Sequence, residues 1–261
     1  MKSTQEKLQH IKTSGFEMDF GTVFGESFEN YKKIALTSGL VLMIMTAFFI
    51  IFGIGIGATF FGISSFSDFM IDIKSQNSNY LESFTLLITT ILVASFIAPL
   101  TAGLIKMAHL ADINQEFTIG NVFEFYRNSF FIDLIVSAAI IATFSSALSF
   151  ALDTIGLNFV GVLINYIISF FTFLTIPFII FGNLKPIDAI QASFTVISKQ
   201  FAVILGLLIV SVLAVCVGII GFCIGIFFTL PFLYSLYFCI YKQAVGIDEN
   251  NELDQIGKNL E

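Results

Sequence analysis

The chain has 261 residues, of which 56% are hydrophobic and only 12% are charged. Soluble domains carry about 25% charged residues, so most of this protein's surface must face something other than water. The formal net charge of −7 comes with no basic stripe and no tryptophan, which argues against a nucleic-acid partner. The three cysteines, Cys216, Cys223 and Cys239, lie in apolar runs at spacings that indicate neither a disulfide framework nor a zinc site.

The first 33 residues are polar and mixed, and they contain no apolar core of the kind found in signal peptides. We therefore expect no cleaved leader. Aromatic residues at helical spacing between Phe20 and Tyr31 predict an amphipathic helix in the membrane interface, with Thr22 as the candidate N-cap. We interpret residues 1–33 as a cytoplasmic N-terminal region that carries this helix.

Six apolar runs follow, most of them about as long as the roughly 20 residues that cross a bilayer. They cover residues 34–63, 83–106, 130–151, 159–181, 201–220 and 226–241. Residues 66–73, between the first two runs, fit either a surface-lying or a re-entrant segment, and residues 247–261 form an acidic tail. The pattern predicts an all-α polytopic protein whose six-span membrane domain, residues 34–246, is arranged as three hairpins.

The cations predict the orientation of these spans. With six spans and both termini on one side, that side holds all 12 lysine and arginine residues except Lys74. Positive residues favour the cytoplasmic face of a membrane. We therefore expect the bacterial cytoplasmic (inner) membrane, with both termini in the cytoplasm.

The three hairpins share a plan. Each follows an amphipathic segment with a nearby cation, and each carries one proline in its second helix, at Pro99, Pro177 and Pro231. A proline bends a helix and frees a carbonyl group that neighbouring helices must satisfy. The pattern predicts three degenerate copies of one unit and marks these prolines as candidate structural or functional kinks.

Motifs for catalysis or metal binding are absent from the sequence. The two histidines, His10 and His109, are too few for a di-iron or haem enzyme, and no charged residue falls near the middle of a predicted span. We therefore expect no cofactor and no metal site. Small polar residues in the second and third spans form a candidate polar seam, which fits either helix–helix hydrogen bonding or a path for a solute. These residues are Thr89, Thr90, Ser145, Ser146 and Ser149.

The last unit of the chain carries a family resemblance. Its features are the run from Pro186 to Phe194, Lys199-Gln-Phe201, Leu230-Pro231-Phe232, and Tyr241-Lys242 ahead of Val245-Gly246. In these the chain resembles a large group of uncharacterised bacterial multi-pass proteins, similar to the membrane domain fused to some glycerophosphodiester phosphodiesterases. The catalytic barrel of those enzymes has no counterpart here, so the resemblance implies the membrane architecture and not the activity.

These observations favour a non-enzymatic membrane module that interacts with lipid or with a partner protein. The alternative is a small-solute channel or transporter built around the proline-kinked helices, and an enzyme acting on lipid is a third. The expected partners are membrane lipids, with another membrane protein or a second copy of the chain left open, and no nucleic acid.

Overall fold

The computed structural model describes residues 4–61, 80–220 and 224–247. Within these ranges the protein consists of helices and short connections, and six of its helical stretches are long and apolar enough to cross a membrane. The predicted all-α, six-span polytopic fold is confirmed. The predicted surface-lying or re-entrant segment at 66–73, Cys223 and all but the first residue of the acidic tail lie outside the described residues.

The helices are numbered here in chain order. They are α1 Thr4–Ser14, α2 Phe20–Phe61, α3 Tyr80–Asp112, α4 Ile119–Phe123, α5 Phe131–Thr154, α6 Asn158–Thr172, α7 Thr175–Ile180, α8 Pro186–Lys199, α9 Phe201–Ile220, α10 Ile224–Thr229 and α11 Pro231–Val245, with a short 3-10 turn at Glu124–Tyr126.

The first span is longer than the sequence predicts. Helix α2 has 42 residues and, at about 1.5 Å per residue, is about twice as long as a hydrocarbon core of about 30 Å is thick. The predicted interfacial segment is thus the first part of this helix and not a separate element. Asp19, and not Thr22, caps it: the Thr22 backbone N–H and hydroxyl both donate to Asp19 Oδ1 at 2.7 Å. These hydrogen bonds lower the pKa of Asp19.

The three candidate kinks differ in form. Pro99 lies inside the continuous helix α3. Pro177 is in the first turn of α7, just after Phe173 and Leu174 interrupt the fourth span. Pro231 is the first residue of α11, and Leu230 separates it from α10 in the sixth span. Proline is well tolerated in a first helical turn, where its missing N–H has no intrahelical partner.

The core lies at one end of the bundle. The buried residues come from the first half of α2, the second half of α3, and helices α7, α8 and α11, as with Ile34, Leu104, Phe178, Val196 and Phe238. At the other end the helices expose large apolar side chains. In a membrane these side chains meet lipid. The tightly packed end carries lysines such as Lys33 and Lys242.

Polar side chains fasten the C-terminal end of α3 to its neighbours. Asn30 Nδ2 donates to the carbonyl of Ala108 at 2.6 Å, and Lys33 Nζ donates to that of Ala111 at 2.9 Å. Ala111 is in the last helical turn, where carbonyls have no partner inside the helix, and Ala108 lies just before that turn. Lys242 of α11 forms an ion pair with Asp112 at 2.9 Å. Helices α2, α3 and α11 are therefore joined at the packed end by buried and charge-assisted hydrogen bonds.

Helix α4 packs closely on α3. A Cβ atom at Gly103 would lie 2.1 Å from the carbonyl oxygen of Val122, so only glycine permits this approach. Nearby, the Tyr126 hydroxyl donates to the Phe96 carbonyl at 2.7 Å, in the turn that precedes Pro99. Burial raises the pKa of Tyr126 above its ordinary value.

Candidate functional site

A polar seam joins helices α5 and α6. Ser145 Oγ donates to Asn165 Oδ1, Asn165 Nδ2 donates to Ser149 Oγ at 2.6 Å, and Ser149 Oγ donates to the Gly161 carbonyl at 3.4 Å. Gly161 lies against Ser149, and a Cβ there would be at ordinary contact distance, 3.5 Å from the Ser149 Cα. This relay fixes the position of the Asn165 amide inside the bundle.

The Asn165 amide faces a cavity of about 400 Å³ between α3, α5, α6, α7 and α11. Such a volume lies within the range of ligand pockets, about 300–1,000 Å³. The polar residues that line it supply hydroxyl groups and one amide. They are Thr101, Ser137, Ser145, Asn165, Ser169, Thr172, Thr175 and Tyr237.

Thr175 is the most unusual of these residues. Its side chain is 1% exposed, and its Oγ1 has no hydrogen-bond partner among the described residues. A buried hydroxyl without a partner costs about 1–3 kcal/mol, so it is rarely kept without a reason. Thr175 lines the cavity, so a polar group that reaches its buried Oγ1 would supply the partner.

An apolar groove of about 660 Å³ adjoins the polar cavity. It lies between α6, α9 and α11 on the lipid-facing surface, and aromatic and aliphatic residues such as Phe170 and Leu208 line it. Three residues, Ser169, Phe173 and Tyr237, line both the groove and the cavity. The Phe173 and Tyr237 rings lie 4.6 Å apart and form the wall between the two spaces.

The depth of the cavity follows from its lining. Thr101, Ser169 and Tyr237 fall near the middle of the spans Leu87–Asp112, Asn158–Ile180 and Gly225–Val245, and Ser137 falls in the first third of Phe131–Thr154. The cavity thus lies in the middle part of the spans, and its lining combines eight polar residues with nine apolar ones. The apolar groove lies beside it.

The predicted seam residues fall in different places. Ser145 lines the cavity, and Ser149 supports Asn165 from behind. Ser146 is half-buried on α5, and Thr89 and Thr90 are exposed on α3; none of the three lines the cavity.

The three candidate kinks lie near the cavity. Pro99 follows Ala98, which lines the cavity, and Pro177 follows Ile176, which also lines it. Pro231 belongs to the helix that contributes Tyr237. The prolines themselves are not part of the lining of either space.

Sequence reasoning missed the residues that matter most. Asn165, Ser169 and Thr172 repeat at i, i+4 and i+7 and therefore lie on one face of α6. A polar stripe on one face of an otherwise apolar span is a readable signal. Thr175 is not readable in this way, because the interruption at Phe173–Leu174 separates it from that helix.

The comparisons with known proteins found no match that bears on the function of this site. No protein-family model, no curated protein and no solved structure matches this chain. Within the described ranges, no cluster of three or more histidine, cysteine, aspartate or glutamate side chains is arranged to hold a metal ion.

Proposed function

We propose that this protein is a non-enzymatic membrane module that binds a lipid from within the bilayer. The observation that carries the proposal is the wall shared by a polar cavity and a lipid-facing apolar groove, formed by Ser169, Phe173 and Tyr237. A lipid is polar at one end and apolar at the other, so a site of two adjoining spaces with these properties matches its chemistry.

The route of entry supports the same proposal. Residues that line the groove, such as Tyr166, Val212 and Leu213, are more than half exposed on the outside of the bundle, where the membrane meets them. A ligand therefore reaches the groove sideways from the bilayer and does not have to cross the tightly packed end.

Native mass spectrometry of the full chain, released from a mild detergent, tests the proposal. We expect a lipid to remain bound to the wild type at near-stoichiometric occupancy. Ser169→Phe, which fills the junction of the two spaces, should remove it. The matched control is Ala147→Phe, which adds the same ring at an exposed position on α5 that lines neither space.

Retention of the lipid by Ser169→Phe, or its equal loss from Ala147→Phe, would contradict the proposed site. A wild type that carries no lipid at any detergent concentration that keeps it folded would contradict the proposed function itself.

A solute channel or transporter is the second candidate, and one observation favours it. The fourth span is interrupted at Phe173–Leu174, beside the polar cavity and two residues before Pro177. Interrupted helices at the depth of the membrane centre are frequent in transporters. Proteoliposomes that carry the wild type and a Pro99→Ala/Pro177→Ala/Pro231→Ala variant would separate the candidates: a glycerol flux above that of empty liposomes, lost in the variant, favours transport.

We also propose that the protein lies in the bacterial inner membrane with both termini in the cytoplasm, and that its hairpins are three copies of one unit. The distribution of cations supports the orientation, and the proline in the second helix of each hairpin supports the repeat. The resemblance to the membrane domain of glycerophosphodiester phosphodiesterases stays a prediction.

A further inference from the structure

The hydroxyl groups in the cavity differ in the hydrogen-bonding capacity that remains for a ligand. Ser137 Oγ donates to the Leu134 carbonyl at 2.9 Å, and Thr172 Oγ1 donates to the Ile168 carbonyl at 2.8 Å. Each proton is thus used within its own helix, and each oxygen is left as an acceptor. Thr175 Oγ1, which makes no hydrogen bond within the described residues, retains both a donor and an acceptor.

The Asn165 amide has capacity of both kinds as well. Its oxygen accepts from Ser145 and its nitrogen donates to Ser149, which leaves one N–H and one lone pair. Because the seam fixes the amide, these remaining groups have a defined position on the cavity wall. The amide, like Thr175, suits a ligand group that both donates and accepts hydrogen bonds, which is the chemistry of a hydroxyl. The two residues are ten positions apart on the fourth span, about 15 Å at about 1.5 Å per residue, so a small head group contacts one of them at a time.

Charge is the property that the cavity lacks. None of the residues that line the cavity is ionisable at neutral pH. The groove residues are phenylalanine or aliphatic, apart from Ser169, Tyr166 and Tyr237. Placing a charged group at this depth without a countercharge is costly. A phosphate, carboxylate or ammonium headgroup therefore finds no partner here.

We propose that the cavity and the groove together form one site for an uncharged lipid with a hydroxylated head, of the monoacylglycerol class. The head lies against Thr175, and the acyl chain passes Ser169, which lines both spaces, into the groove. This inference rests on the proposed lipid-binding function and specifies its ligand.

Three probes with the same oleoyl chain separate charge from hydroxylation. Monooleoylglycerol is uncharged and hydroxylated, oleoyl lysophosphatidate adds a charged phosphate, and methyl oleate has no hydroxyl. Titration of the full chain, freed of endogenous lipid, is followed by native mass spectrometry in a mild detergent. We expect monooleoylglycerol to bind at least about tenfold more tightly than either of the others. Methyl oleate has no hydroxyl to form hydrogen bonds, and oleoyl lysophosphatidate adds a charge that no residue of the cavity matches.

Each other result has a defined meaning. Equal binding of all three probes would overturn the inference and leave lipid binding intact, because the groove alone would then determine affinity. Tighter binding of oleoyl lysophosphatidate would overturn the uncharged class. Binding of none would overturn both the inference and the proposed function.

Substitutions at Thr175 locate the bound head. Thr175→Val keeps the shape and removes the hydroxyl, so monooleoylglycerol should bind about tenfold more weakly, whereas methyl oleate should be unaffected. Thr175→Ser restores the hydroxyl and should restore most of the affinity, which distinguishes a lost contact from a misfolded protein. The control is Thr154→Val, an exposed threonine whose hydroxyl donates to the Ala151 carbonyl of its own helix. Unchanged preference for monooleoylglycerol in Thr175→Val would overturn the inference.

Discussion

The contact between Gly103 and Val122 makes a specific prediction about stability. In Gly103→Ala the new Cβ would lie 2.1 Å from the Val122 carbonyl oxygen and 2.6 Å from its Cα. Helix α4 would have to retreat by roughly 1 Å to reach ordinary contact distance. Overpacking of this kind costs about 1–3 kcal/mol, against a gain of about 1 kcal/mol from the better helix propensity of alanine.

Gly25→Ala isolates the packing cost. Gly25 is an exposed residue of helix α2, and a Cβ there would meet nothing within 4 Å. It therefore has the same gain in helix propensity without the clash. The free energy of unfolding of Gly103→Ala should lie about 1–3 kcal/mol below that of Gly25→Ala. Titration of detergent micelles with dodecyl sulfate, followed by circular dichroism, measures this difference. Equal unfolding midpoints for the two variants would refute the close contact of α3 and α4.

Three further predictions concern the packed end and the topology. Asn30→Ala removes the donor to the Ala108 carbonyl and should lower the free energy of unfolding by about 1–3 kcal/mol in the same titration, whereas an unchanged value would show that this hydrogen bond is not formed. The hydrogen bonds from Thr22 lower the pKa of Asp19, so the Asp19 carboxylate stabilises the fold above the pKa of an unfolded aspartate, and this stabilisation is lost as the pH falls through the lowered value. In Asp19→Asn the loss of stability in acid should be smaller. An identical pH profile of the unfolding free energy in wild type and variant would contradict the cap. A fluorescent protein fused to the C-terminus should be fluorescent and a phosphatase fused there inactive, and the reverse pair would place that end outside the cytoplasm.

The sequence predicts the number of spans well because apolar length is a property of each run by itself. The sequence analysis separates residues 20–33 from the first span because the apolar run begins at Ile34. Glu29, Lys32 and Lys33 are compatible with a helix and nothing among them ends one, so the continuous α2 was readable. The interruption at Phe173–Leu174 is readable, because Pro177, four residues after Phe173, has no N–H for the Phe173 carbonyl and its ring clashes with that carbonyl.

The candidate site is less predictable from the sequence. Ser145 and Ser149 are visible as a polar group in one span, but their partner Asn165 lies on the next helix, and only the hairpin brings them together. The cavity depends on five helices at once, and no local spacing encodes that arrangement. What the sequence does contain is the polar face of α6, which is the element most useful for finding related sites.

Occupancy of the groove is tested most directly by photo-cross-linking. A monoacylglycerol with a diazirine in its chain is irradiated with the full-length protein in lipid nanodiscs, and the adducts are mapped by peptide mass spectrometry. We predict adducts concentrated on α6 and α9, at groove residues such as Phe170 and Leu208, and their loss when unlabelled monooleoylglycerol competes. Adducts spread over the exposed residues of every span, including Ile44 and Phe144, and unaffected by the competitor would contradict a specific lipid site.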